Sequence, residues 1–202
     1  MKTTSEQQKK VIELLKRGGV LRPRDLGRHN IPREILRRLS DRGVVQRVGH
    51  GLYRLTAGKE TEHFTLAEVC KQIPAGVVCL VSALRFHNLT TQAPFEVWLA
   101  IDVKAYRPKT DLPVRFVRFS GAALAEGVEV HKVGGVPVRV YNPAKTVADC
   151  FKYRNKIGLD VALEALKECR KAQRCSMDDL WHFAKICRVA NTMRPYLEAM
   201  SV

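Results

Sequence analysis

The stretch Gly43 to Leu55, GVVQRVGHGLYRL, leaves this chain few local conformations. Two short runs, Val44 to Val48 and Leu52 to Leu55, alternate around Gly49-His50-Gly51, the pattern of paired strands joined by a tight turn. Gly51 is expected to take the left-handed conformation that such a turn with a bulge requires, leaving His50 at the tip. Arg47 and Arg54 stand on either side of the turn. Directly upstream, PREILRRLSDRG (Pro32 to Gly43) has helical spacing. Its stripe is Ile35, Leu36 and Leu39. At 100° per residue Arg33, Glu34, Arg37 and Asp41 point the other way, with Arg38 at the flank. Helix followed by basic hairpin is the order of a winged helix-turn-helix, in which one helix enters the major groove and the hairpin grips the backbone.

The charge supports that expectation. The chain has 202 residues and a formal net charge of +15, an excess suited to a polyanion because neutralising phosphates releases condensed counterions. Residues 1–60 carry about fifteen Lys and Arg against six acids, so over half of the excess lies in under a third of the chain. Arg33 and Arg37, one turn apart, are spaced to reach one groove, where arginine pairs bidentately with guanine. The competing reading is a solvated charged face laced by pairs such as Glu34 with Arg38. Arg47 and Arg54 are expected to meet phosphates, while two readings stay open for His50: a minor-groove or phosphate contact, or a surface turn residue without a role. Tyr53 is expected to pack the hairpin onto the third helix and not to touch DNA.

Upstream, a first helix is expected over Thr4 to Arg17, with Thr3 and Glu6 at capping-box spacing, an apolar stripe of Val11, Ile12, Leu14 and Leu15, and Gly18-Gly19 as its stop. A second, short helix opens at Pro23, whose missing N–H a first turn does not need. The segment TAGKETE (Thr56 to Glu62) is polar and reads as a connector. These features divide the chain into a domain over residues 1–58 and a larger one over 63–202.

The larger domain reads as mixed. A helix is expected over Thr65 to Gln72, then a buried strand over Val77 to Val81, then a helix capped by Ser82. Strands follow over Glu96 to Ile101, Val114 to Phe119, Val128 to Val133 and Val136 to Tyr141, the last two joined at Gly134-Gly135. From Asn142, a cap followed by Pro143, the pattern is helical to the end: Leu159 to Lys171, Met177 to Arg188 and Thr192 to Met200. Strands followed by a helical block make an α+β domain.

Signals for chemistry are weak. Asp102-Val103-Lys104, with Glu96 upstream, has the acid-x-Lys form of metal-dependent nucleases, a site that needs two or three carboxylates converging on a cation. A metal-dependent nuclease or nucleotide-modifying enzyme targeted by the winged domain is the alternative reading. No phosphate-loop, nucleophile-elbow or zincin motif is present. Cys175, His182 and Cys187 lack a fourth ligand for zinc. The six cysteines show no paired spacing and are expected to act as small core hydrophobes, consistent with the cytosol. His87 and His131 lie among apolar neighbours and read as structural. The expectation is a non-enzyme without metal or cofactor. With neither an N-terminal signal pattern nor a long apolar run, no membrane association is expected.

Several segments carry a family likeness: RVGHGLYRL in the hairpin, VVCLVSALRFHNLTTQ from Val77 to Gln92, VEVHKVGGVPVRVYNPAKTVADCFKYRNKIGLDVALEAL from Val128 to Leu166, and RPYLEAM near the end. The chain resembles the AbiEi-type antitoxins of bacterial type IV toxin–antitoxin and abortive-infection systems over nearly its whole length. One departure is Lys145, where the family phrase RT-x-x-D has arginine; the charge survives but bidentate pairing does not. The resemblance implies a repressor–antitoxin. Its winged domain would bind inverted repeats in its own promoter, two protomers to an operator. Its second domain would counteract a nucleotidyltransferase-like toxin. Lys145, Thr146 and Asp149 fall on successive turns of one helix, and two readings stay open: an exposed functional cluster, or a helix-start cap with a local ion pair.

Overall fold

The computed structural model describes residues 4–18, 21–47, 53–56, 64–133 and 136–200. The expected Thr3 cap, the Gly49-His50-Gly51 turn, the connector after Thr56 and the Gly134-Gly135 turn lie outside those residues. The chain divides into two compact units, one of Met1–Pro74 with Pro108–Pro113 and His131–Val138, the other of Ala75–Arg107, Val114–Val130 and Arg139–Val202.

In the first unit, helix α1 (Thr4–Gly18) precedes a 3-10 helix over Pro23–His29, then α2 (Glu34–Asp41), strands β1 (Val45–Arg47) and β2 (Tyr53–Leu55), and α3 (Phe64–Gln72). Their apolar residues make one core of Val11, Leu15, Leu21, Leu26, Ile31, Ile35, Leu36, Leu39 and Val45, with Ile12, Leu14, Tyr53 and Leu55 packed at its margin. The second helix is thus a tight 3-10 coil, opened by Pro23 and by Asp25, whose carboxylate accepts from the Arg22 N–H at 2.9 Å. It ends at Asn30, which is left-handed (φ 52°), a conformation its short amide side chain tolerates. The third helix begins two residues later than Pro32 because Pro32 and Arg33 form the lead-in turn, their carbonyls accepting from Ile35 and Leu36.

The second unit holds a mixed five-stranded sheet in the order β5-β4-β3-β7-β6. Its strands are β3 (Val77–Val78), β4 (Val97–Asp102), β5 (Val114–Phe119), β6 (Val128–Val133) and β7 (Val136–Tyr141), and the tips of β6 and β7 group with the first unit. β4 runs parallel to β5, from Val97 opposite Val114 to Asp102 opposite Phe119. β3 pairs antiparallel with β4 and parallel with β7. Around it come α4 (Leu80–Phe86), α5 (Ala122–Ala125), α6 (Pro143–Lys152), α7 (Arg154–Ile157), α8 (Leu159–Lys171), α9 (Met177–Ile186) and α10 (Ala190–Ala199). α6 is the centre of the helical block. Val147, Ala148, Cys150 and Phe151 are all buried against apolar residues of α8, α9 and α10. The chain is therefore a mixed α+β protein with N-terminal helices, a sheet and a helical C-terminal block. No helix among the described residues is long and apolar enough to cross a membrane.

Two expectations are corrected here. The apolar run Val77 to Val81 is strand only at Val77–Val78; Leu80 turns left-handed (φ 49°) and the chain enters α4. A continuous apolar run has no period to separate strand from helix. Ser82 is not a cap but lies within α4, where its Oγ accepts from the Trp98 N–H at 2.9 Å and donates to the Glu96 carbonyl at 3.5 Å, pinning α4 to β4. Cys79 occupies the cap position.

Candidate nucleic-acid interface

The short helix α2 is two-faced from its sequence up. Ile35, Leu36 and Leu39 are at most 3 % exposed, whereas Arg33, Glu34, Arg37 and Arg38 are open to solvent. Arg33 and Arg37 are separated by about 6 Å of helix rise and make no ion pair with any described side chain. Arg38 is committed differently. Its Nη2 lies 3.0 Å from Glu34 Oε1, an exposed pair one turn apart and a weak tether in water. At the end of α2, Arg42 donates to Gln8 of α1 at 3.4 Å.

The hairpin register is Val45 opposite Leu55, Gln46 opposite Arg54 and Arg47 opposite Tyr53. Side chains alternate along a strand and cross-strand partners share a face. Val45, Arg47, Tyr53 and Leu55 therefore occupy one face, with Gln46 and Arg54 on the other. Arg47 is exposed at the far end of the core-facing side. Arg54 is half-buried, its guanidinium donating to the Gln46 amide oxygen when that amide is turned to face it. The two hairpin arginines thus leave opposite faces of the ribbon, since Arg47 pairs with Tyr53 and Arg54 with Gln46. His50 lies outside the described residues.

What holds the ribbon is a residue that periodicity cannot flag. Leu21, in the link between α1 and the 3-10 helix, exchanges two hydrogen bonds with Tyr53, N to O and O to N, both 2.9 Å. Tyr53 packs at the margin of the core that also buries Ile35, Leu36 and Leu39. Behind the 3-10 helix, Arg22 donates to the Lys71 carbonyl and Lys71 Nζ sits 2.9 Å from Asp25 Oδ2. Burial pushes the Asp25 carboxyl up, but Lys71, the Arg22 N–H and Arg24 outweigh it and hold it below the usual range. Exposed Arg24 and Arg28 add further positive charge to this unit.

Lys145, Thr146 and Asp149 do come together, but out of solvent: each is 0 % exposed. Asn142 Oδ1 accepts from the Lys145 N–H at 2.8 Å and caps α6. Lys145 Nζ lies 2.6 Å from Asp149 Oδ2, 4.1 Å from the Tyr141 ring centroid and 4.9 Å from that of Phe119. Thr146 Oγ1 donates to the Tyr141 carbonyl at 3.1 Å, and Cys187 Sγ to Asp149 Oδ1 at 3.2 Å. Burial pushes the Asp149 carboxyl up, with Lys145 opposing it. Of the two open readings, the exposed cluster gives way to the cap and local ion pair. An interior ion pair is tolerated here because two rings and a thiol surround it.

The other candidate chemistry disperses. Asp102 Oδ1 accepts from the Lys104 N–H at 2.7 Å, closing its own turn, while Glu96 pairs with Arg115 at 2.9 Å. Those carboxylates flank the two ends of β4, about 20 Å apart along a six-residue strand, and do not converge on one cation. His182 faces Glu126 at 3.3 Å, Cys187 faces Asp149 and Cys175 faces Cys169, so the imagined zinc trio is three separate contacts. No group of three or more potential metal ligands occurs among the described residues. His87 Nε2 meets the Tyr141 carbonyl at 2.8 Å, a structural role.

The first unit thus presents a two-faced helix with exposed Arg33 and Arg37, followed by a ribbon that carries Arg47 and Arg54. Residues 9–56, running from α1 through the ribbon, match the model of a family described as transcriptional regulator, AbiEi antitoxin. Among solved structures, the crystal structure of the RV2827C protein from Mycobacterium tuberculosis is similar, with a TM-score of 0.60 over 89% of this chain and 71% of that chain. At 14% identity this likeness shows the fold alone. No curated protein matches.

Proposed function

We infer that this chain is a DNA-binding transcriptional autoregulator and antitoxin, a binding protein and not an enzyme. The first unit acts as a winged helix-turn-helix: α2 lies in the major groove and the β1–β2 ribbon rides on the backbone. The observation that carries this reading is the pair Arg33 and Arg37, exposed one turn apart directly opposite the buried Ile35, Leu36 and Leu39. Arginine in such a position can pair bidentately with guanine O6 and N7. Arg38, Glu34, Arg47, Arg54 and His50 complete the proposed contact set, most of them to phosphates. The regulator family matched over residues 9–56 supports the same conclusion.

The DNA would be inverted repeats in the chain's own promoter, occupied by two protomers, since a symmetric operator reflects symmetric occupancy. The second unit would counteract a nucleotidyltransferase-like toxin encoded beside it. Mobility shifts with the upstream promoter and a random duplex of equal length test the first part. Tighter binding to the promoter that survives competitor DNA is expected; equal affinity for both duplexes overturns sequence-specific regulation. Co-expression with the neighbouring toxin gene tests the second part: growth restored by the full chain and not by residues 1–58 is expected.

A further inference from the structure

The end of α8 and the start of α9 are each shaped by their own local hydrogen bonds, and between them they bring two cysteines together. Gln173 is left-handed (φ 51°), its N–H bonded to the Arg170 carbonyl at 3.0 Å, and the Arg174 N–H returns to the Cys169 carbonyl at 2.9 Å. That pattern is a Schellman stop, which folds the chain back over the last helical turn. Arg170 Nη1 then donates to the Cys175 carbonyl at 3.4 Å. Ser176 starts α9 with a reciprocal cap: its Oγ accepts from the Asp179 N–H at 3.0 Å, and Asp179 Oδ2 accepts from the Ser176 N–H at 3.0 Å. Cys175 is held between these two motifs. Its Cα lies 6.2 Å from that of Cys169, and the two are joined as a disulfide in this structure. That separation lies within the range a disulfide spans without backbone movement.

We propose that Cys169 and Cys175 form a reversible oxidation site, in which hydrogen peroxide converts the two thiols into an intramolecular disulfide tying α8 to α9. The roles divide by access. Cys175 is 8% exposed and Cys169 is fully buried, so Cys175 meets the oxidant and Cys169 resolves. The Cys175 thiolate attacks one peroxide oxygen; the O–O bond breaks, hydroxide leaves and becomes water, and Cys175 carries a sulfenic acid. The Cys169 sulfur, giving up its proton, attacks the Cys175 sulfur; the S–S bond forms, the S–O bond breaks and the hydroxyl leaves as the second water. Two thiols are oxidised and one peroxide is reduced to two waters. An added dithiol reverses the step by exchange.

The other four cysteines are poor competitors. Cys70, Cys79, Cys150 and Cys187 are all buried. Burial pushes the Cys79, Cys150 and Cys187 thiols up, the last to about 12, away from the thiolate that oxidation needs. Cys187 is further committed to Asp149. The pair sits in the second unit, so this inference does not depend on how the chain meets DNA.

The reduced full chain would be treated with a stepwise excess of hydrogen peroxide, unfolded in iodoacetamide and cut with trypsin without reductant. Trypsin cleaves at Lys167, Arg170, Arg174 and Lys185, so a crosslink joins the fragments Glu168–Arg170 and Cys175–Lys185. That linked pair, lost on adding dithiothreitol and accompanied by four alkylated cysteines, is the expected result. Cys169→Ala, a small change in a buried helix, should leave a Cys175 sulfenic acid that dimedone captures. A thermal midpoint a few degrees higher in the oxidised wild type, unchanged by peroxide in Cys175→Ser, should accompany it. Six alkylated cysteines after peroxide treatment, a crosslink to any other cysteine, or oxidation of Cys175 to the sulfinic acid without a link would each overturn the proposal.

Discussion

Lys145 donates from Nζ to Asp149 Oδ2 at 2.6 Å, one turn further along α6, with both side chains wholly withdrawn from solvent. The pair stands between the sheet and the helical block, under the Tyr141 and Phe119 rings, and the Cys187 thiol occupies the second carboxylate oxygen. Breaking such a pair strands a charge in the interior, whereas replacing both partners does not. Lys145→Met and Asp149→Leu should each cost about 3–5 kcal/mol, and the double variant less than either alone. Denaturant unfolding of the full chain checks this; simple addition of the two losses would show that the charges are not coupled.

Gly127 gives a second test of the same packing. It adopts φ +75°, and a Cβ there would stand 2.9 Å from Lys145 Cβ and 3.0 Å from Phe183 Cε1. Gly127→Ala should lower stability by about 2–4 kcal/mol, combining backbone strain with overpacking. Unchanged unfolding would mean that the loop before β6 relaxes freely.

At the proposed DNA interface, Arg37→Ala should cost about 1–3 kcal/mol against the promoter and relax preference at one base position if that side chain reads a base. Fluorescence anisotropy with promoter duplexes altered one base pair at a time measures it. A loss equal for every duplex would move Arg37 to the phosphates.

Arg47 and Arg54 leave opposite faces of the ribbon, so their contributions can be separated. Each phosphate contact removed should flatten the slope of log affinity against log salt by about 0.9, with no change in sequence preference. Arg47→Ala is expected to show this in full. If Arg54→Ala alone leaves the slope unchanged, then that guanidinium serves Gln46 and not DNA.

The Asp25–Lys71 pair predicts a pH dependence. With the folded Asp25 carboxyl held low, its contribution is present above the unfolded value near pH 4 and is lost as pH falls through the folded value. For a part-exposed pair this amounts to roughly 1 kcal/mol. Thermal midpoints of wild type and Asp25→Asn should differ at pH 7 and converge as the pH falls through the folded carboxyl's lowered value; a constant gap would remove Asp25 as the source.

Much of the architecture is legible in the chain because periodic burial writes itself locally. The strands Val114–Phe119, Val128–Val133 and Val136–Tyr141 and the helix Leu159–Lys171 have the bounds that alternation and helical spacing suggest. Ile35, Leu36 and Leu39 are buried, and Arg33 and Arg37 exposed, as a 100° step requires. What stayed hidden lacks a period. The Leu21–Tyr53 rung is one residue long, α5 and α7 are single turns, and Val77 to Val81 is apolar throughout.

Residue order alone determined the charge asymmetry, the two-faced α2, the Asn142 cap and the basic strand pair, since each depends on neighbours within a few positions. Tertiary structure alone decided where Lys145 and Asp149 sit. On a helix wheel they look like any ion pair one turn apart, and only packing against the Tyr141 and Phe119 rings and the Cys187 thiol made them interior. The same holds for the hairpin arginines, whose opposed directions follow from strand register, and for Cys169 and Cys175, which a helix stop folds into contact. Short-range patterns fix which side of an element faces inward; what waits on that side is contributed by residues far away in the chain.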